Sequence, residues 1–389
     1  MKMNITGIIT EYNIFHNGHK YQIDEIKKHS DAVVAVMSGS FVQRGDVAIT
    51  DKWSRAKTAL WGGVDLVIEL PVCYALNAAP NFATGGINIL NALGVVNNIC
   101  FGSESGSIDE LMSAAELLEN ENSEISEKIK KYVMGGMSYP NALTKAYSAL
   151  IPSDILSEPN NILATEYIRA LIRSDSKIKP MTVKRHKAGY HDRNLYQNIA
   201  SATKLREMNR NNENINDFIP YKLEDINCDI PYDISNLDSA IISKLRLMTA
   251  ENLQNISEVT EGIENRILSS ANMSYSFETL VENVKNKRYT TSKIRRMIIS
   301  ALIGFTKDIY SPMPQYIRIL GMNKVGMTIL KQAKDTCKVP IITKTADFKE
   351  QSPQFNLDVR ATNIAMLCNP IPTHRIGNAD LKKSPIIMK

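Results

Sequence analysis

The stretch that decides the fold covers residues 5–23 and reads ITGIITEYNIFHNGHKYQI. Its first six residues form a short apolar run, which is typical of a buried parallel strand. A polar loop follows, and the residues after it have the spacing of a helix. In an open parallel sheet, ligands bind beyond the carboxyl ends of the strands, so this loop lies where a binding site is expected.

Two histidines, His16 and His19, lie three residues apart in this loop, around Asn17 and Gly18. Imidazoles there can donate hydrogen bonds to phosphate oxygens, and Gly18 lets a phosphate approach the start of the helix. No third ligand for a metal lies nearby, and the polar neighbours argue against a core role. The residues favour a phosphate site and leave the structural and metal alternatives open.

The first half of the chain alternates strand-like and helix-like segments. This pattern indicates an α/β fold with a doubly wound, Rossmann-like parallel sheet. The predicted strands are residues 5–10, 32–37, 65–70, 98–101 and 180–185.

The second half has helical spacing, with residues 339–342 as the best strand-like piece. A polar segment at residues 209–217 reads as a linker. We therefore predict an N-terminal catalytic domain over residues 1–210 and a mostly α-helical, basic domain over residues 218–389.

Composition places the chain among ordinary globular proteins, with 389 residues, 43% of them hydrophobic and 22% charged. The apolar runs are too short for a membrane span, and we expect no signal peptide. The five scattered cysteines form no CxxC pair, which argues against a zinc site or a disulfide framework. A cytoplasmic location is expected.

The net charge of +5 conceals a basic block. Residues 285–344 contain thirteen Lys and Arg but two acids, whereas residues 102–127 contain eight acids and no base. A dense basic segment in an otherwise acidic protein is typical of a surface that binds a polyanion such as nucleic acid. A solvated basic helix face is the alternative.

The first stretch is accompanied by further segments in a fixed order: MSGSFVQRGDVAITDKWSRAKTAL, GVDLVIELP, FGSESG, EPNNILATEYIRAL, VKRHKAGYHD and SATKLR. HNGH after a first strand resembles the HxGH signature that nucleotidyltransferases share with class I aminoacyl-tRNA synthetases. With YTTSKIRRMIISALIGF and YIRILGMNKVGMTIL, these segments make nearly the whole chain similar to the bacterial tRNA(Met) cytidine acetate ligases.

The resemblance implies an HxGH nucleotidyltransferase-type fold and a two-step reaction. Acetate and ATP, with Mg²⁺ accompanying the ATP, would give acetyl-adenylate and pyrophosphate. The acetyl group would then pass to N4 of the wobble cytidine of elongator tRNA(Met), giving N4-acetylcytidine. How tRNA(Met) is told from other tRNAs, and the oligomeric state, stay open.

The resemblance also implies roles for individual residues. His16, His19 and Lys20 would be catalytic, stabilising the α-phosphate and the departing pyrophosphate. The implied ATP contacts are Gly7, Ile8, Ile9, Thr10, Glu11, Tyr12, Asn13, Phe15, His16, Asn17, Gly18, His19, Lys20, Gly102, Asn161, Arg185, Ser201, Thr203 and Arg206.

Within the PNN motif, Asn161 is preferred to Asn160 as the ATP contact because it starts the predicted helix. The SATKLR turn, residues 201–206, could simply cap a helix, but next to HNGH it favours phosphate binding. The general base for the cytidine amine stays undetermined, with His191 of the KAGYHD segment considered.

The other polar residues near the second strand are expected either to line the acetate or cytidine pocket or to form a solvated loop. They are Gln43, Arg44, Gly45, Asp51, Lys52 and Arg55. Ile14 stands where the family usually has proline. The exchange costs about 0.5–1 kcal/mol of preorganisation and removes no donor, so we expect activity to be retained.

The basic block would contact tRNA phosphates in a salt-sensitive manner, and Tyr289 could stack on a base. The residues assigned to tRNA are Lys285, Lys287, Arg288, Lys293, Arg295 and Arg296. Two alternatives remain. A nucleotidyltransferase acting on a small phosphorylated metabolite would leave the basic block without a role, and a non-catalytic RNA-binding protein would not need the phosphate residues.

Overall fold

The computed structural model describes residues 3–185, 199–211, 213–226, 231–260 and 262–389. The strands are β1 (Ile5–Thr10), β2 (Ala32–Ser38), β3 (Phe41–Val42), β4 (Asp46–Val47), β5 (Leu66–Leu70), β6 (Asn98–Ser103), β7 (Lys179–Lys184), β8 (Ile317–Met322), β9 (Ile341–Ile342) and β10 (Ile386–Ile387).

The helices of the first half are α1 (Asn17–Lys27), α2 (Lys52–Trp61), α3 (Val72–Ala75), α4 (Ala79–Leu93), α5 (Ile108–Glu119), α6 (Ser123–Met134), α7 (Tyr139–Ala146), α8 (Ser153–Ser157), α9 (Pro159–Arg173) and α10 (Ala202–Arg210). Those of the second half are α11 (Asp238–Arg246), α12 (Ala250–Gln254), α13 (Ile263–Met273), α14 (Phe277–Val284), α15 (Thr291–Ile303), α16 (Lys324–Ala333), α17 (Pro353–Met366) and α18 (Ala379–Lys382).

A mixed sheet lies at the centre, with strand order β10–β8–β5–β2–β1–β6–β7 and with β9 paired to β8. From β5 to β7 the neighbours are parallel, which confirms the predicted parallel sheet. The order reverses at β1, because β2 lies on one side of it and β6 on the other. At such a switch point the loops that follow the two strands form the walls of one crevice.

The central strand β2 reads AVVAVMS and is buried along its whole length. Continuous β-branched and apolar sequence is what a parallel strand needs when helices cover both faces of its sheet. On one face of the sheet, two adjacent glycines let α4 lie close to both the sheet and α3. A Cβ on Gly86 would lie 2.5 Å from the side chain of Ile9, and one on Gly85 would lie 2.2 Å from Tyr74.

The second half contributes β8, β9 and β10 to the central sheet. β9 lies within the strand-like piece predicted at residues 339–342, whereas β8 and β10 were not predicted. β8 runs antiparallel to β5, so the sheet is mixed at this edge. The sequence concealed β8 because Arg318 interrupts its apolar pattern. The fold buries this arginine against Glu69, at 3.2 Å, and against Asp380. Its charge is neutralised by residues distant in the chain.

The remaining second half is helical, as predicted, and α11 packs against α13 and α15. One apolar core contains both Val34 of β2 and Leu357 of α17. The boundary at residues 210–218 therefore does not separate two cores, and the division into two domains stays a prediction. Within the described part of the chain, no helix is both long and apolar enough to cross a membrane.

Candidate active site

The loop after β1 caps helix α1 with its first histidine. The Nδ1 atom of His16 accepts a hydrogen bond from the backbone N–H of Gly18, at 3.1 Å. The Nδ1 atom of His19 accepts one from the backbone N–H of His16, at 3.2 Å. The two rings stack, with centroids 3.7 Å apart and 21° between their planes. The HxGH spacing thus builds a fixed pair of imidazoles at a helix N-terminus.

These hydrogen bonds set the protonation of the pair. A neutral imidazole that accepts at Nδ1 carries its proton on Nε2. Burial, with smaller effects from the charges of Arg185 and Arg206, lowers the pKa of His16 to about 3. Burial, His16 and Arg185 likewise lower the pKa of His19. Both rings are therefore neutral and offer their Nε2–H groups as donors.

Aromatic packing and a glycine hold the pair in place. Tyr12 and Phe15 are buried, and His19 packs against them with ring centroids 4.9 and 5.6 Å away. A Cβ on Gly18 would lie 2.9 Å from Cε1 of His16, too close for any other residue without movement of the ring. The side chains of Tyr12 and Phe15 support the loop from the core.

Helix α10 forms a second wall of the crevice, and the SATKLR turn is its start. Ser201 caps the helix by accepting from the N–H of Lys204, at 3.2 Å. Arg206 donates to the carbonyl of Asn13 and, at 3.1 Å, to Oγ1 of Thr203. These contacts bring HNGH and SATKLR together, as the resemblance implied.

Ile14, in the usual proline position, strengthens the same junction. It is buried in an apolar cluster with Leu205 of α10 and with Ile49, Ile215, Ile219 and Ile226. The side chain of Ile14 therefore anchors the loop between β1 and α1, residues 11–16, to α10. We call this segment the histidine loop. Nearby, Asn13 accepts from the N–H of Ile49 at 2.7 Å, and Asn17 donates to the carbonyl of Asp217 at 2.9 Å.

The third wall of the crevice is formed by Gly102 in β6, by Arg185 directly after β7 and by the PNN motif at the start of α9. A Cβ on Gly102 would lie 3.1 Å from Cγ of Arg185, so the glycine makes room for this side chain. Arg185 is exposed and donates to Oδ1 of Asn160, at 3.0 Å. Glu104, which we did not predict, accepts from Nδ2 of Asn160 at 2.5 Å. The acid in FGSESG, directly after a strand, was the signal for it.

The preference for Asn161 over Asn160 does not agree with this geometry. Asn161 is fully buried, and its Oδ1 accepts from the N–H groups of Glu104 and Ser105, at 2.9 and 3.1 Å. Its Nδ2 donates to the carbonyl of Asp154, at 3.1 Å. Asn161 thus positions the loop after β6, whereas Asn160 accepts a hydrogen bond from the guanidinium of Arg185.

Arg55 and Lys52 are buried, and Lys52 borders a small cavity together with Thr50 and Trp53. Arg55 donates to the carbonyls of Glu11 at 2.7 Å and Ser38 at 3.0 Å, which ties together the chain after β1 and the end of β2. Lys52 is fully buried and pairs with Glu69 at 2.6 Å and with Asp380 at 2.8 Å. Asp51 caps α2.

The remaining predicted residues of β1 and the start of α1 differ in how exposed they are to the crevice. Lys20 forms an ion pair with Asp24 one helical turn away, so its charge is engaged within α1. Gly7 and Ile8 are buried in β1, and a Cβ on Gly7 would lie 2.6 Å from Leu90. Ile9 and Thr10, at the carboxyl end of β1, are half-buried.

The inner arginines of the basic block are not free for RNA. Arg296 is buried and makes two hydrogen bonds to Glu258, at 2.5 and 2.9 Å. Arg295 makes two to Glu278, at 2.6 and 2.8 Å. Acids that are distant in the chain thus pair with both arginines, and the assignment of these residues to tRNA stays a prediction.

The outer residues of the block remain on the surface. Lys285, Lys287 and Arg288 are exposed, and Lys285 pairs with Glu282 at 3.3 Å. Lys293 lies over the ring of Tyr289, 5.0 Å from its centroid, so this face of the ring is covered.

His191 and the rest of KAGYHD, residues 187–192, lie outside the described residues. Among the residues that are described, no group of three or more His, Cys, Asp and Glu could hold a metal ion.

The fold and the histidine pair define a class. Residues 3–380 match the family model described as HIGH Nucleotidyl Transferase, so the chain is a nucleotidyltransferase of the HIGH class. The chain also matches ligases over its whole length. It is 40% identical to the tRNA(Met) cytidine acetate ligase of Clostridium novyi (strain NT), with 100% of both chains covered. The protein belongs to the tRNA(Met) cytidine acetate ligase family.

Two other relatives agree. The tRNA(Met) cytidine acetate ligase of Acetivibrio thermocellus is 38% identical, with 99% of this chain and 100% of the relative covered. The crystal structure of Thermotoga maritima TmcAL bound with alpha-thio ATP superposes with a TM-score of 0.91 at 32% identity, covering 99% of this chain and 100% of that one. The predicted class and family are confirmed.

Proposed function

We propose that this protein is an ATP-dependent acetate ligase that forms acetyl-adenylate and then acetylates N4 of the wobble cytidine of elongator tRNA(Met). The observation that carries the proposal is the neutral, stacked pair of His16 and His19 at the N-terminus of α1. It stands in a chain that aligns end to end with ligases of that name and with a relative bound to an ATP analogue.

In the first step an acetate oxygen attacks the α-phosphorus of ATP, and the bond to pyrophosphate breaks. Because an anion attacks a polyanion, the protein must mainly position the reactants and neutralise charge. The Nε2–H groups of His16 and His19 donate to α-phosphate oxygens, and the dipole of α1 adds a positive potential at the N-terminus of that helix. Arg206 and Arg185 supply the fixed positive charges on the two sides of the pair.

Neutral donors suit this step better than charged ones. An imidazolium could lose its proton to the phosphate or to acetate, and protonated acetate is a poor nucleophile. Because the pKa of His16 is low, the ring stays neutral. It keeps the single proton on Nε2 and donates it in a hydrogen bond without losing it. Mg²⁺ enters with ATP, because phosphate oxygens and water supply most of its ligands in such sites.

In the second step the N4 amine attacks the acetyl carbonyl, the bond to the phosphate breaks, and AMP leaves. The acyl phosphate is highly reactive, so orientation and exclusion of water supply much of the rate. Since tRNA acts in translation, we propose that the enzyme works in the cytoplasm.

The test is to incubate the protein with ATP, labelled acetate and bulk tRNA and then to digest the RNA to nucleosides. Labelled N4-acetylcytidine is expected, and it should be absent without ATP. A His16→Ala variant is the matched control, because it should abolish acetyl-adenylate formation while tRNA binding survives. Pyrophosphate release on a small phosphorylated metabolite, without label in RNA, would favour the metabolite nucleotidyltransferase instead.

A further inference from the structure

The hairpin β3–β4 is held between the basic helix α15 and the histidine loop. On one side Arg296 donates to the carbonyl of Gln43 and Arg295 to that of Gly45, both at 3.0 Å. On the other side the N–H of Gln43 donates to Oε1 of Glu11, at 2.7 Å. The tip of this hairpin, residues 43–46, is therefore fixed relative to both parts of the protein.

The fit at the tip is close. Gly45 has φ +74°, and a Cβ there would lie 2.6 Å from Cβ of Arg295 and 2.7 Å from the backbone nitrogen of Arg296. Each arginine is itself held by a carboxylate, that of Glu278 or Glu258. Arg295 and Arg296, the inner residues of the basic block, thus position the hairpin tip. This contact gives the two arginines a role within the protein.

The tip presents Arg44 at the mouth of the crevice. The residue is exposed, and its Nη1 lies 3.5 Å from Oγ1 of Thr203, at the outer limit of a hydrogen bond. It is close enough to Glu11 and Arg206 to influence the pKa of each. Arg210 of α10 lies on another side of the tip, 3.7 Å from Asp46, with 46% of its side chain exposed.

We propose that Arg44, with Arg210 beside it, binds phosphate groups of the RNA backbone that flank the target cytidine. The inference rests on the proposed function, since it assigns the part of the site that receives the second substrate. A guanidinium suits this task because its fork of N–H groups matches a phosphate. A rigid backbone gives Arg44 a fixed position, and the side chain is held only by the long contact with Thr203, which a phosphate can displace.

The same phosphate chemistry could come from ATP, but the arrangement favours RNA. Arg206 is the inner guanidinium, held by the carbonyl of Asn13 and by Thr203 next to the histidine loop. Arg44 lies outside it and is open to solvent, where a polymer too large to enter the crevice passes. The inner guanidinium of Arg206 therefore faces ATP, and the outer guanidinium of Arg44 faces the RNA.

The experiment compares Arg44→Ala and Arg44→Lys with the wild type, using purified elongator tRNA(Met), and Arg210→Ala tests the second cation. For Arg44→Ala we expect the KM for tRNA to rise about fivefold. The slope of log affinity against log salt should fall by about 0.7 to 0.9 for the lost phosphate contact. Arg44→Lys should keep the slope, because it keeps the charge.

The matched control is Lys128→Ala on α6, which removes one exposed cation that pairs with Glu124. It should change neither KM nor slope. An unchanged KM and slope in Arg44→Ala would overturn the proposal. So would an equal loss of ATP–pyrophosphate exchange measured without RNA, since Arg44 would then bind ATP. Failure of the wild type to make N4-acetylcytidine would refute the proposed function, whereas the salt slopes would still test Arg44.

Discussion

Replacing Gly18 by alanine should slow adenylate formation without destabilising the protein. The added Cβ would lie 2.9 Å from Cε1 and 3.1 Å from Nδ1 of the His16 ring. Ordinary carbon contacts are about 3.5–4.0 Å, so the ring must move by roughly half an ångström or more. That ring stacks on His19 and accepts from the N–H of residue 18, so a shift disturbs at least one of these contacts.

The expected loss of rate follows from how strongly catalysis depends on the position of a hydrogen-bond donor. Loss of one preorganised donor costs about 10²- to 10³-fold in rate, and a displaced donor costs less. We expect a loss of about 10- to 100-fold, which is roughly 1.4–2.7 kcal/mol of transition-state stabilisation. Alanine also favours the helix by up to about 1 kcal/mol relative to glycine, which offsets the steric cost. The free energy of unfolding should therefore change by less than about 1 kcal/mol.

The assay is ATP–pyrophosphate exchange in the presence of acetate, together with thermal unfolding. The matched control is Gly377→Ala, because a Cβ on Gly377 meets its nearest neighbour, Asn363, at an ordinary 3.5 Å. The Gly377→Ala variant should change neither the rate of ATP–pyrophosphate exchange nor the temperature of thermal unfolding. A Gly18→Ala enzyme with an exchange rate within twofold of the wild type would refute the role of the ring position.

Three further predictions concern single residues. The pKa of His16 is about 3 in the fold, below its ordinary 6.5, so its contribution to stability is complete above pH 6.5 and is lost as the pH falls toward 3. Between pH 6 and 4, His16→Gln should lose less thermal stability than the wild type. Asn161→Ala should lower the free energy of unfolding by about 2 kcal/mol, because two N–H groups lose their acceptor, whereas Asn160→Ala should raise the KM for ATP at unchanged stability. Arg296→Ala should cost about 2 kcal/mol in chemical denaturation, because Glu258 is left without its partner.

Each of these predictions has a contrary result. Parallel pH profiles of unfolding for the wild type and His16→Gln would contradict the buried neutral ring. A raised KM for ATP in Asn161→Ala at full stability would return the ATP contact to Asn161. An Arg296→Ala variant of unchanged stability, with a shallower salt dependence of tRNA binding, would place Arg296 on the RNA surface.

The parallel half of the sheet was predictable because its signals are local. Apolar β-branched runs between turns predicted five strands, and the structure confirms each within two residues at either end. The strand β8 was missed because Arg318 reads as a polar interruption, and only the fold brings Glu69 and Asp380 to it. Pattern rules describe a residue by its own type and its neighbours in sequence, and long-range partners are invisible to them.

The residue pattern was enough to assign the class of the protein and to predict where its chemistry takes place. HNGH must follow β1 at the switch point of the sheet, and its spacing alone lets His16 cap α1 while His19 comes back against it. The tertiary structure decided which charges are free. Arg295 and Arg296 carry the same charge as Arg44, but the inner two are neutralised by carboxylates and hold the hairpin, whereas Arg44 faces solvent. The free energy of a charge depends on burial and on its partner, and both are set by residues brought together only in the folded chain.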